Sequence, residues 1–305
     1  MHARVRDGLW LRARRGAYVD APPPGTLRHD ADRLLALARL TAIRDQLTTS
    51  VVVSHASAAL LWGLPIVGLP RRPHVTIPYN PSGGPRRDIV RHVRALPERH
   101  ATPLLGFTIT TLERTVVDCA MALGPRAGLV IADAALRLGA DRDECRGILA
   151  TLAGHRGVVA ARAVVDLADD GAESAGESIA RFVLLRAGLP TPETQVRVST
   201  HLGTFWADLG WPAWRLLAEY DGRAKYEAKG SAAAAVIEEK RRQDAIEETG
   251  NRVLRITKED VVRPERLVAR VLRLAPSGSS TRLRPRAALT ACAPRSANSR
   301  EIAPS

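Results

Sequence analysis

Cysteine is scarce in this chain. The three present, Cys119, Cys145 and Cys292, are dispersed, and no two stand in CxxC spacing. This excludes a disulfide framework, supplies no zinc-ligand set, and fits a reducing, cytoplasmic setting. Cys119 lies in an apolar helical run, where a buried structural thiol is expected. No apolar run in the sequence reaches the roughly 18 to 20 residues needed to cross a bilayer, so no membrane partner is expected. The N-terminus carries charges but lacks the apolar centre of a signal peptide. No internal repeat is visible. Acidic residues are also in deficit, 32 against 45 basic ones, which leaves a net charge of +13. Arginine supplies most of the excess. It suits bidentate phosphate contacts, and a basic protein is drawn to nucleic acid without sequence readout. The same excess also follows from GC-rich coding, which favours Arg, Ala, Gly and Pro.

The hydrophobic fraction of 45% excludes general disorder, and 305 residues suffice for two ordinary domains. Residues 1–20 read as two short apolar runs around Arg12, Arg14, Arg15 and Gly16, a hairpin or wing that ends at Pro22–Pro24. Helical spacing follows over 30–48. Ser54 is placed to cap a helix that runs through Trp62. Short strands are expected at 74–77, 89–94 and 107–109, then helices carrying Arg114, Asp118 and Cys119 and continuing over 129–138 and 141–169. His55 near a helix start reads as a capping or core histidine. Arg114 with Asp118 reads as a helix pair, and Trp62 as core.

A second unit is expected from residue 170 to 275. Ser174 and Glu177 have capping-box spacing at the head of a helix that Gly188 and Pro190 stop. Strands at 194–198, 205–209 and 214–221, a helix over 232–249, a strand over 252–257 and a closing helix over 264–274 complete the order. The expected class is α/β, mixed α+β. Residues 276–305, with little periodicity, read as a disordered basic tail.

The carboxylates of this unit carry its chemistry. Glu219 and Asp221 are two apart on a strand and share a face. The turn at 210–213 lays that strand antiparallel to the one ending near Asp208, so Asp208 sits beside Glu219. Three oxygen donors at one spot repel one another unless a counter-charge joins them. A Mg²⁺ ion, with Mn²⁺ as substitute, meets that need and polarises a phosphodiester. Lys225, or Lys240 on the next helix, is placed to face the phosphate. Glu177 adds a carboxylate if its helix turns it toward the sheet; otherwise it closes the capping box or pairs with Arg181. Asp208 and Asp221 also make good turn starters, Asp221 with Gly222 after it. The stretch EEKRRQDAIEE reads either as a solvated helix face or as a face bringing Lys240, Asp244 and Arg242 toward nucleic acid.

The series GESIARFVLLRAGLPTPETQVRV, ADLGWP, AEYDGRAKY, EEKRRQDAI and RVLRIT resembles actinobacterial endonuclease domains similar to very-short-patch-repair endonucleases, within the PD-(D/E)XK superfamily. The resemblance implies a mixed sheet flanked by helices, with Mg²⁺ at Asp208 and Glu219 and with Glu177 and Asp221 accessory. In the superfamily's (D/E)-x-K element a lysine would stand where this chain has Asp221, a departure that the very-short-patch branch shares. RVRDGLWLRARRGAYVD, SHASAALLWGLPI, HVTIP and TTLERTVVDCA resemble the AbiEi-like antitoxins of type IV toxin–antitoxin systems. That resemblance implies a truncated winged-helix head over 1–20, with Arg12, Arg14 and Arg15 on phosphates. It further implies an antitoxin domain over 30–169 that represses an operon or opposes a cognate toxin. The recognition helices that precede such a wing are not found in this sequence, so major-groove readout is not expected from it.

Overall fold

The computed structural model describes residues 2–46, 51–80, 88–222, 232–276 and 283–290. The chain opens with a short helix α1 (His2–Arg6) and an antiparallel hairpin of β1 (Trp10–Arg14) and β2 (Ala17–Asp20). Gly16, with φ +77°, takes the left-handed conformation that this tight turn requires. The long helix α2 (Arg28–Gln46) packs against the hairpin and buries Ala36, Leu40 and Ile43.

A five-stranded mixed sheet follows. Its strands are β3 (Val52–Val53), β4 (His74–Ile77), β5 (Val90–Val93), β6 (Ala101–Leu104) and β7 (Phe107–Thr110), in the order β5-β4-β3-β7-β6. Helix α3 (His55–Leu61) links β3 to β4 and is buried along its whole length. Trp62 lies against the core as expected, its indole N–H donating to Thr110 O at 3.0 Å.

Four helices follow and pack on one another and on α3: α4 (Leu112–Leu123), α5 (Pro125–Arg137), α6 (Arg142–Thr151) and α7 (Val158–Leu167). The helical stretch expected over 141–169 is made of two helices. The break is at Gly157, φ +86°, whose Cβ position would fall 2.4 Å from Met121 O, so the chain needs glycine there to pass α4.

Helix α8 (Ala175–Arg186) leads into a four-stranded sheet. Its strands are β8 (Glu193–Thr200), β9 (Gly203–Trp211), β10 (Leu216–Asp221) and β11 (Arg252–Thr257), in the order β11-β10-β9-β8. The first three are antiparallel, and β11 joins β10 in parallel after the crossover helix α9 (Ala232–Glu248). Helices α10 (Lys258–Val262) and α11 (Pro264–Leu274) close the unit. The fold is therefore mixed α/β, as expected.

Helix α8 has two buried sides. Phe182 and Leu185 join the core of α4–α7, while Ala180, Val183 and Leu184 join the core under the second sheet. The tail expected to be disordered from residue 276 is ordered in part. Leu289 of α12 (Ala287–Thr290) is 2% exposed in the first core, and Arg286 N donates to Arg186 O at 3.1 Å. Leu283 also packs against the second core and Arg286 Nη2 donates to Leu189 O at 3.4 Å, so apolar anchors and backbone contacts seat a segment whose composition reads as solvated.

Candidate functional site

The β9–β10 ladder pairs Leu216 with Trp211 and Ala218 with Leu209. Continued by one residue, this register sets Glu219 opposite Asp208, so the expected juxtaposition is present. Asp208 is half-buried, and its Oδ2 accepts the Tyr220 N–H at 2.7 Å. Parallel pairing with β11 sets Arg255 beside Glu219 and Thr257 beside Asp221.

Glu219 is 8% exposed, and its counter-charge is arginine. Arg242 reaches in from α9. Its Nη1 donates to Glu219 Oε2 at 3.3 Å and its Nη2 to Glu219 Oε1. Arg255 Nη2 lies 3.6 Å from Glu219 Oε2. Glu239 accepts from both guanidiniums, from Arg242 Nη1 at 3.1 Å. Two carboxylates and two guanidiniums thus close a network without excess charge. Burial opposes the Arg242 charge, but Glu219 and Glu239 outweigh it and hold the guanidinium above its ordinary range. The Arg242 guanidinium also lies over the Phe205 ring at 5.5 Å.

Several expected roles move in this geometry. Arg242, expected on DNA, turns inward onto Glu219. Lys240, expected over the sheet, is exposed, as is Asp244. The two basic residues are two positions apart on a helix, about 200° around its axis, so only one can face the sheet. Glu177 spends its carboxylate at the head of α8. Its Oε1 accepts from Ser174 Oγ at 2.7 Å and its Oε2 from Glu173 N at 2.8 Å. Glu177 therefore serves the helix cap, though it takes Glu173 N rather than the Ser174 N of a full capping box. Lys225 lies outside the described residues.

Mg²⁺ or Mn²⁺ needs several free oxygen ligands. Here both oxygens of Glu219 meet guanidinium, one oxygen of Asp208 holds a backbone N–H, and both oxygens of Glu177 are used in a cap. Among the described residues no group of three or more His, Cys, Asp or Glu is placed to hold a metal ion. As arranged among the described residues, Glu219 and Glu177 have both oxygens engaged, so a divalent ion would have to displace those partners.

A second site lies at the hairpin. Arg12, Arg14 and Arg15 line an open cleft of about 650 Å³ together with Arg39 of α2 and with Arg71 and Arg72, which precede β4. Among the described residues Asp88 is the one carboxylate in its lining. Arg14 Nε donates to it at 2.5 Å, and Arg39 Nε donates to Ala13 O at 3.3 Å. Burial lowers the Arg39 guanidinium from its ordinary range; Asp32 opposes that and Arg71 adds to it. Arg12, Arg15 and Arg71 are exposed. The three arginines expected to touch phosphate are thus brought together with three that sequence reasoning missed. The Arg71-Arg72 pair just before HVTIP was the available signal.

No family model matches the chain, and no solved structure matches it. It is similar to two curated proteins of Mycobacterium tuberculosis, the uncharacterized protein Rv2248 of strain ATCC 25618 / H37Rv and the uncharacterized protein MT2308 of strain CDC 1551 / Oshkosh. Each is 39% identical over 171 residues, 55% of this chain and 62% of the relative. The chain therefore spans less than two thirds of the length of the curated relatives it matches. Among the described residues no helix is long and apolar enough to cross a membrane.

Proposed function

We propose that the chain is a DNA-binding protein of the antitoxin-regulator kind. It contacts phosphates through the arginine cleft and keeps the nuclease-like sheet as a scaffold. The observation that carries this reading is the convergence of six arginines, against one aspartate, on an open cleft. Arg14 is offset by Asp88, whereas Arg12, Arg15 and Arg71 are exposed, and guanidiniums so placed match a row of phosphates. The net charge of +13 adds long-range attraction.

The second reading is a metal-dependent DNA endonuclease that hydrolyses phosphodiesters in repair or phage defence. The order helix, three strands, helix, strand supports it, as does the placement of Asp208 opposite Glu219. It requires Arg242 and Arg255 to leave Glu219 first.

Two measurements separate the readings. Fluorescence anisotropy of labelled duplex DNA in EDTA, taken over a salt series, tests binding. The regulator reading expects log affinity to fall with log salt at a slope near −0.9 for each phosphate contacted. Supercoiled-plasmid nicking in Mg²⁺, Mn²⁺ or EDTA, wild type beside Asp208→Ala, tests cleavage. Metal-dependent nicking lost in Asp208→Ala would establish the endonuclease instead, and salt-insensitive binding would remove the cleft from the argument.

A further inference from the structure

Segments to which the sequence assigns no chemistry meet in one cavity of about 260 Å³, between the first sheet and α4. Helix α3 brings His55, β5 and the residue after it bring His92 and Arg94, α4 brings Arg114 and Asp118, and the turn before α7 brings Arg156.

The polar groups of this lining are not used up. Asp118 is 3% exposed; its Oδ1 accepts from Arg114 Nε at 2.9 Å, while its buried Oδ2 has no hydrogen-bond partner. A buried carboxylate oxygen without a donor is costly, so it marks a place where a donor belongs. His55 does not supply one, since its Nδ1 is 3.9 Å from Oδ2 and lies 2.9 Å from Ser54 Oγ. Both neighbours sit on the same ring nitrogen, which rules out a Ser-His-Asp relay. His55 is also held at φ +54°, a strained conformation for a side chain of its size.

The charge of the cavity comes from arginine. His55 and His92 stack with ring centroids 3.5 Å apart, and His92 Nε2 lies 3.0 Å from His74 Nδ1. Burial, then the neighbouring imidazoles, hold His55 well below its ordinary range. Burial also lowers His74 to about 3 and His92 to about 4, so the three rings are neutral at physiological pH. Among the described residues Arg114 pairs with Asp118, whereas Arg94 and Arg156 make no ion pair. Three guanidiniums less one carboxylate leave two positive charges, which match the −1.5 to −2, roughly, of a phosphomonoester. The volume equals about nine waters at roughly 30 Å³ each, enough for a sugar phosphate and too small for duplex nucleic acid.

We propose that this cavity binds a small phosphomonoester that also carries a hydroxyl or amine donor. The phosphate lies between Arg94 and Arg156 at the mouth, and the donor reaches Asp118 Oδ2 inside. The inference is independent of the DNA-binding reading. Calorimetric titration of the full chain tests it, with ribose 5-phosphate as probe beside ribose, inorganic phosphate and a 5′-phosphorylated tetranucleotide.

One ribose 5-phosphate should bind per chain, about tenfold tighter than inorganic phosphate, and ribose alone should not bind. Arg94→Gln and Arg156→Gln should each weaken binding about tenfold while the urea midpoint holds. Arg71→Gln, in the hairpin cleft, should leave binding unchanged. The assignment is overturned by absence of binding at about 5 mM probe, by equal affinity for inorganic phosphate, by full binding in the Arg94 and Arg156 variants, or by loss in Arg71→Gln. Tighter binding of the tetranucleotide would replace the small molecule with a nucleic-acid end and overturn it as well.

Discussion

Arg181 Nη2 donates to Asp133 Oδ1 at 2.5 Å, with the two side chains 1% and 0% exposed. The same guanidinium donates through Nη1 to Leu167 O at 2.6 Å, and Asp133 Oδ1 also accepts from Asp169 N at 2.9 Å. The pair ties α8, the first helix of the second unit, to α5 and to the end of α7. Together with the two buried sides of α8, it ties this helix to both cores.

Breaking this pair from one side leaves a buried charge. Arg181→Met should cost about 3–5 kcal/mol. Arg181→Met with Asp133→Leu should cost less than Arg181→Met alone, because no charge is then stranded. Urea denaturation read by circular dichroism gives both numbers. A single cooperative transition is expected for the wild type, and two separated transitions would show that the units fold independently.

Arg242 holds Glu219 in the second sheet by the same logic, closer to the surface. Arg242→Ala should destabilise by about 2 kcal/mol, less than a fully buried break, because Arg255 remains 3.6 Å from the carboxylate. With the arginines in place, adding Mg²⁺ should leave the melting temperature of the wild type unchanged, and EDTA should have no effect. A Mg²⁺-dependent rise in wild type would mean that the ion competes successfully for Glu219, in favour of the endonuclease.

Much of this unit was legible because its signals are local. Ser174 and Glu177 announce a cap by their spacing, and Ser174 caps the helix with Glu177 bonded to its hydroxyl. Strand parity places Glu219 and Asp221 on one face, and a short turn sets Asp208 opposite. The partners of Glu219 were not legible. Arg255 reaches it through parallel pairing across a whole crossover helix, and helix phase decides whether Lys240 or Arg242 faces the sheet. Sequence reasoning supplied the need for a counter-charge but not its identity, since a metal and two guanidiniums satisfy it equally. The histidine cluster was illegible for a related reason. His55, His74, His92 and Asp118 come from separate elements, and only the strand order β5-β4-β3 and the packing of α4 bring them together.

That cluster makes stability depend on pH. His74 and His92 are depressed to about 3 and about 4 in the folded chain, chiefly by burial. The unfolded chain titrates near the ordinary value of about 6.5 and so binds more protons between these limits. Stability is therefore fully present above about pH 6.5 and declines as pH falls toward about 4, by several kcal/mol, about 6 kcal/mol at most for the two rings. Asp260, held below its usual range by Thr257 and Arg270 against burial, loses its contribution only at lower pH. Urea midpoints at pH 7.5, 6.5, 5.5 and 4.5 measure the slope. His74→Asn with His92→Asn should flatten it, and an unchanged slope would place the proton uptake elsewhere.

The hairpin cleft gives the sharpest test of nucleic-acid contact, because its arginines are not equivalent. Arg12 and Arg71 are exposed, while Arg14 is engaged by Asp88. Arg12→Ala and Arg71→Ala should each weaken duplex binding at every sequence alike and reduce the salt slope by about 1. Arg14→Ala should alter the slope less, since its charge is already offset by Asp88. Asp88→Asn should strengthen binding and steepen the slope, because it releases Arg14 toward phosphate. Anisotropy titrations between 50 and 200 mM salt, roughly the range over which phosphate contacts are most visible, resolve these differences. If Asp88→Asn weakened binding instead, the cleft would need its carboxylate, and a ligand with donors of its own would replace DNA as the occupant.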